Sequence, residues 1–210
     1  AELIAGGFGV PPSRMQIVPN GVDTQRFARA SPDLFHSRHP WRSFVLFVGD
    51  AGATRKNVHA LVGAYGTWRT RFSTDAPDLL IAGSIGEDRY GRALKLTIQA
   101  QDGARWIGPI DHEDPLLPSL YRAARVFVLP SQFETPGIAA MEAALAGCRI
   151  AITRHGGPRE VFGEQASYLE PADRASIVAA LQKAWEAPEP LALQDRLAAR
   201  YDWKHVAEQT

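Results

Sequence analysis

Apolar residues fall into short solid runs separated by longer stretches in which they recur every three to four positions. The runs FVLFVG (44–49), DLLIAG (78–83), ARWIG (104–108), RVFVLP (125–130) and RIAIT (149–153) read as buried strands, and SYLEP (167–171) as the strand that closes the sheet. Residues 57–72, 90–101, 136–146 and 173–187 carry helical spacing instead. Residues 115–124 predict a shorter helix, with Pro115 in its first turn and Pro118 tolerable only near that end. Strands alternating with helices predict an α/β fold, a parallel sheet with helices on both faces, and the absence of repeats or low-complexity tracts predicts one domain.

Such sheets bind ligands beyond the carboxyl ends of their strands. The loops DAGATRKN, SIGEDRYG, PIDHED, SQFETPG and RHGGPRE are therefore expected to share one rim, rich in glycine, basic residues and carboxylates. That chemistry suits a phosphorylated, hydroxyl-rich ligand. Composition narrows the choice further. With 45% apolar and 22% charged residues, 210 residues supply one sizeable core. Lys and Arg number 23, as do Asp and Glu, so no net field gathers nucleic acid or an anionic membrane, and any anion has to be held locally. No run of about 18 apolar residues is present, and residues 1–15 lack the basic start and apolar core of a signal peptide, so a cytoplasmic location without a transmembrane segment is expected. A single cysteine, Cys148, excludes an internal disulfide.

The stretch FETPGIAAMEAALAG (133–147) concentrates the chemistry. Thr135 and Pro136 predict an N-cap and first turn, leaving the amides of Gly137 and Ile138 free at the positive end of a helix, where phosphate binds. Ile138, Met141 and Leu145 are expected to face the sheet, with Glu142 bordering that face and Glu134 in the loop before the cap. A carboxylate so placed needs donors. Sugar or ribose hydroxyls would serve Glu142, and so would a neighbouring arginine, with Glu134 then simply solvated.

The stretch FETPGIAAMEAALAGCRIAIT is similar to the donor-site signature of retaining glycosyltransferases of the GT-B fold, the large group marked by a Glu-x7-Glu motif (glycosyl transferases group 1). IVPNGVDTQRF, FVLFVGDAGATRKNVHALVGAY, LLIAG, WIGPI, LYRAARVFVLPS, HGGPREVFGE and YDWKHVAE extend the resemblance in order over nearly the whole chain. It implies a Rossmann-like domain, one half of a GT-B fold, that binds a nucleoside diphosphate sugar. By resemblance, Glu142 binds ribose hydroxyls, Glu134 contacts the transferred sugar, and the amides of Gly137 and Ile138 meet the sugar or diphosphate. Gly49 and the Ile107 segment belong to the donor site, the latter holding the base edge through backbone groups. Lys56 matches the family lysine that neutralises the leaving diphosphate. The usual arginine after Val-Gly is replaced by Asp50, and Arg55 is expected to supply the second cation. Preorganised cations and amides take the place of a metal in this chemistry, so neither a metal nor another cofactor is expected.

Other positions stay open. Trp106 is either core or part of the base site; His155 and Glu160 are either ligand groups or ordinary loop and cap residues. The resemblance further implies that residues 1–16 are an interdomain linker, 17–202 the nucleotide-sugar domain and 203–210 a helix crossing towards an acceptor-binding domain outside this chain. That domain would supply the contacts to an acceptor glycan or lipid-linked glycan, and any peripheral contact with the inner membrane face. Alone, this chain is expected to bind donor weakly and transfer little. R-K-N is reminiscent of bacterial envelope and O-antigen mannosyltransferases, favouring a GDP-sugar. Two rival readings are a non-catalytic nucleotide-binding module and a nicotinamide-dependent oxidoreductase. The latter needs G-x-G-x-x-G after the first strand, where this chain has VGDAGATRKN.

Overall fold

The computed structural model describes residues 11, 14–16, 18–72 and 74–209. Most of residues 1–16, expected as a linker, lie outside that range, as do Ile17 and Thr210. The elements run α1 (Thr24–Ala28), α2 (Asp33–Arg38), β1 (Val45–Val48), a 3-10 turn (Thr54–Lys56), α3 (Val58–Arg69), β2 (Leu79–Ala82), α4 (Arg89–Ala100), β3 (Ala104–Gly108), α5 (Leu116–Ala123), β4 (Val126–Leu129), α6 (Ile138–Leu145), β5 (Arg149–Thr153), α7 (Pro158–Phe162), a second 3-10 turn (Gly163–Gln165), β6 (Ser167–Leu169), α8 (Arg174–Glu186), α9 (Leu191–Tyr201) and α10 (Trp203–Ala207).

Six strands form one sheet in the order β3-β2-β1-β4-β5-β6, every neighbouring pair parallel. The connections from β1 step outward one way and those from β4 the other. With right-handed crossovers this puts α3 and α4 on one face and α6 on the opposite one. α8 returns to pack along α3 and the β5–β6 edge, while α1, α5 and α9 gather around α6. β1, β2 and β4 read as solid apolar runs because helices cover both faces: Leu46, Phe47, Leu80, Ile81, Phe127 and Val128 are all fully buried.

Between β1 and β4 the strand order reverses, which opens a crevice at their carboxyl ends. The loops that the sequence assigned to one rim meet there. The Gly52 amide donates to the Ser84 carbonyl at 2.9 Å, joining the β1 and β2 loops, and the Gln132 amide donates to the Arg55 carbonyl at 2.8 Å, joining those of β1 and β4. The Glu134 amide donates to the His155 carbonyl at 3.2 Å, and the Gly157 amide to the Glu134 carbonyl at 2.9 Å, which brings in the β5 loop. Among the described residues no helix is long and apolar enough to cross a membrane.

One local expectation fails. Thr135 is not the N-cap of the helix after β4; α6 starts two residues later, with Gly137 as its cap at φ 78° and ψ 62°. Residue 134 is bridged in parallel to Gly156. That pairing keeps the chain extended past Thr135, and it turns into the helix only through a left-handed residue, a conformation that glycine adopts at no steric cost. Ile138 consequently points outward, 43% exposed, instead of joining Met141 and Leu145 against the sheet.

Candidate functional site

Asn57 begins the assembly. It sits in the left-handed region between the 3-10 turn and α3, and its side-chain amide donates to the Pro130 carbonyl at 3.2 Å and the Pro171 carbonyl at 2.9 Å. The TRK turn is thereby clamped beside the end of β4. Lys56 reaches across the crevice to Glu134, Nζ to Oε1 at 2.5 Å, with side chains only 13% and 10% exposed. Arg55 is exposed, and its backbone carbonyl anchors Gln132. Gly49 ends β1 with its amide on the Ala82 carbonyl at 3.0 Å, and Asp50 is exposed, accepting from the Ser84 hydroxyl at 3.0 Å. Asp50 therefore ties two rim loops together at the position where the resemblance implies a cation.

Glu134 is held by the β5 loop as closely as by Lys56. A Cβ on Gly156, at φ 96°, would stand 1.9 Å from the Glu134 carbonyl, so only glycine lets the two loops approach this closely. The start of α6 lies three residues on. The amides of Gly137 and Ile138 stand at the positive end of the helix without a capping side chain.

Glu142 sits one turn further into α6 and is buried. Its partner is neither solvent nor an arginine at bonding distance. His112, from the loop after β3, places Nε2 2.8 Å from Oε1, and the buried Tyr121 hydroxyl of α5 donates to Oε2 at 3.3 Å. Burial pushes the Glu142 carboxyl upward, opposed by the bonds from His112 and Tyr121 and by the charge of Arg26. His112 is raised in turn, chiefly by its bonds to Glu142 and Glu113. The pair thus keeps a proton to higher pH than a free imidazole would. Neither His112 nor Tyr121 was singled out from sequence. The usable signal was a lone histidine among three carboxylates, Asp111, Glu113 and Asp114, in a rim loop.

The remaining candidates spread around this centre. Ile107 is half-buried on β3, packed on the core, at the edge of the sheet. Trp106 is 38% exposed, donates Nε1–H to the Gly83 carbonyl at 2.8 Å and lies under Lys95, so it is not a core residue. His155 pairs with Glu170 at 2.9 Å. Glu160 and Asn20 line a groove of ≈ 490 Å³ with Thr135, Pro136 and Arg200.

The comparisons with known proteins identify the family and the fold. The chain is 30% identical over 219 residues to a glycogen synthase of Mycobacterium tuberculosis, covering 97% of this chain and 49% of the relative. It is 30% identical over 153 residues to the O-antigen chain mannosyltransferase B of Escherichia coli, covering 72% and 39%. Among solved structures, a sucrose-phosphate synthase from Thermosynechococcus elongatus superposes with a TM-score of 0.80 at 23% identity, over 99% of this chain and 54% of that one, which shows the shared fold. The chain spans about half the length of the curated relatives it matches. The profile described as glycosyl transferases group 1 matches residues 42–187, and the chain belongs to that family.

Proposed function

We propose that this chain is the donor-binding half of a retaining glycosyltransferase, which moves a sugar from a nucleoside diphosphate sugar to an acceptor hydroxyl. The observation that carries the reading is the meeting of Lys56, Glu134 and the uncapped start of α6 at the β1/β4 crevice, with Glu142 one turn behind. Breaking the anomeric C–O bond leaves negative charge on the departing diphosphate. Lys56 and Arg55 neutralise that charge, the amides of Gly137 and Ile138 add fixed dipoles, and Glu134 lies where it contacts the sugar; interactions that strengthen as charge develops lower the barrier. In this reading no metal is needed. Glu142 holds the ribose, while Gly49 and the backbone around Ile107 line the way to the base. Arg55, exposed at the crevice mouth, supplies the second cation that Asp50 does not.

A GDP-sugar, and transfer of mannose in bacterial polysaccharide synthesis, is favoured by the R-K-N sequence and by the similarity to an O-antigen chain mannosyltransferase. The acceptor, a glycan or lipid-linked glycan, meets a further domain. Calorimetry with GDP, UDP and ADP, their sugars and the free nucleosides tests the site. Glu142→Ala is expected to abolish binding of nucleoside and diphosphate alike, whereas Lys56→Ala weakens diphosphates by about tenfold or more and nucleosides little, since one charged contact carries roughly 1.5–3 kcal/mol. Equal losses for both ligand types in Lys56→Ala would contradict the role given to Lys56.

A further inference from the structure

The carboxylate proposed to hold the ribose is already occupied. Both oxygens of Glu142 face protein donors, and its side chain is 6% exposed, whereas the His112 side chain covering it is 57% exposed. Tyr121, the other donor, is fully buried between Phe27 and Phe127. Of the two, only His112 can leave without breaking the core. Its backbone is fixed independently: Arg26 of α1 donates to the His112 carbonyl and, at 3.5 Å, to that of Asp114, and pairs with Glu113 at 3.7 Å. The ring can therefore swing about its own side-chain bonds while the loop stays in place.

We propose that His112 is a displaceable stand-in for the ribose: its Nε2–H occupies Oε1 of Glu142 in the empty cleft, and the 2′ and 3′ hydroxyls of a bound nucleotide take that place as the imidazole turns out towards Glu113. This rests on the donor-site reading of Glu142. The geometry also sets the proton balance. Nδ1 lies 3.0 Å from Glu113 Oε1 while Nε2 lies 2.8 Å from Glu142 Oε1, and a neutral imidazole has one N–H for these two acceptors. Only the imidazolium satisfies both, in line with the upward shift of His112. The charged groups that act on the ring are Glu142 on α6, Glu113 of its own loop and Arg26 on α1; Tyr121 of α5 meets Glu142 instead, and Asp111 and Asp114 accept from the Glu113 and Leu116 amides. Losing Glu142 lowers the affinity of His112 for its proton, so nucleotide binding releases protons near neutrality and tightens as pH rises.

Calorimetric titration of the chain with GDP, UDP and ADP in buffers of different ionisation enthalpy tests this. Affinity of the unaltered protein is expected to rise by roughly threefold to tenfold between about pH 6 and about pH 8, within what one coupled proton can supply. His112→Ala is expected to bind more tightly than the unaltered protein near pH 6 and to lose most of that slope. The matching 2′,3′-dideoxynucleoside diphosphates, which keep the titrating phosphate but cannot replace His112, are expected to release no protons from the ring. Weaker binding by His112→Ala at every pH would make His112 a positioning partner of Glu142 and overturn the proposal, as would equal proton release with the dideoxy ligands. Diphosphate binding untouched by Glu142→Ala, or no nucleotide binding at all, would overturn the donor-site reading and this inference with it.

Discussion

Lys56 and Glu134 form an ion pair across the mouth of the crevice, and both are largely withdrawn from water. A desolvated pair is held by its mutual attraction, and removing one charge leaves the other without compensation. The same carboxylate repels an arriving diphosphate and competes with it for Lys56. Glu134→Gln keeps the shape and removes the charge, with two expected consequences. The ligand-free protein loses on the order of 1–3 kcal/mol as Lys56 goes unpaired, a little below the range for a fully buried pair. Nucleoside diphosphates bind more tightly by about fivefold, the effect of two charges roughly 4 Å apart acting through water, about 1 kcal/mol. Urea denaturation with and without GDP reads both, and weaker GDP binding in the variant would show that Glu134 attracts the ligand through some other group. Glu134 and Glu142 stand out in the sequence by their spacing about the Thr-Pro-Gly turn, and Lys56 by the family resemblance. The partner of Glu142 did not: His112 is thirty positions away, and only the path of the β3 loop over α6 brings it near.

Among the elements, the strands and the longer helices were legible because apolar periodicity is imposed by burial on both faces of the sheet. α9, to which the sequence reading assigns no element, carries such a pattern too: Leu193, Leu197 and Tyr201 recur at four-residue spacing and are buried. The five-residue helices α1, α7 and α10 are a different case: they are too short to form on propensity and persist through tertiary ties. α10 shows how. Its cap, Asp202, accepts from the Lys204 amide at 3.0 Å and from the Thr24 hydroxyl, while the Val22 amide donates to the Tyr201 carbonyl at 2.8 Å. The Thr24 hydroxyl first, and then the Lys204 amide, holds the Asp202 carboxyl below its ordinary value. A carboxyl depressed in the folded state contributes stability that is complete above the unfolded value, about pH 4, and is lost as pH falls through the folded one. Amides of 203–208 are therefore expected to lose hydrogen-exchange protection below about pH 4, before those of the sheet. Thr24→Val should move that loss to higher pH; an unchanged profile would mean that α10 is held by packing alone.

At the scale of the whole molecule, the sheet separates the groups that hold the fold from the groups that meet a ligand. Periodicity could name the strands but not their order, because strands buried on both faces carry no mark of their neighbours; the reversal between β1 and β4 is visible only in the structure. The candidate groups stand at the carboxyl ends of the strands, and although Tyr121 meets Glu142, others of the largest buried aromatics lie away from them. Trp68 is the clearest of these. It ends α3, packs edge-on against Phe72 and Trp185 at 4.9 and 5.6 Å, and donates Nε1–H to Gln182 of α8 at 2.8 Å. Residues 57–67, all but the first of them helical at about 1.5 Å each, separate it from Lys56. Trp68→Ala should therefore cost about 3–5 kcal/mol through the cavity and the orphaned Gln182 carbonyl, lowering the midpoint of a single unfolding transition. Trp68→Phe keeps most of the volume and is expected to cost less. In both variants the folded molecules should bind nucleoside diphosphate as the unaltered protein does, because α3 is also pinned at its rim end by Asn57 on the Pro130 and Pro171 carbonyls. A large loss of affinity at a temperature where Trp68→Phe is fully folded would mean that packing along α3 sets the position of Lys56, and that the rim is not independent of the core beneath it.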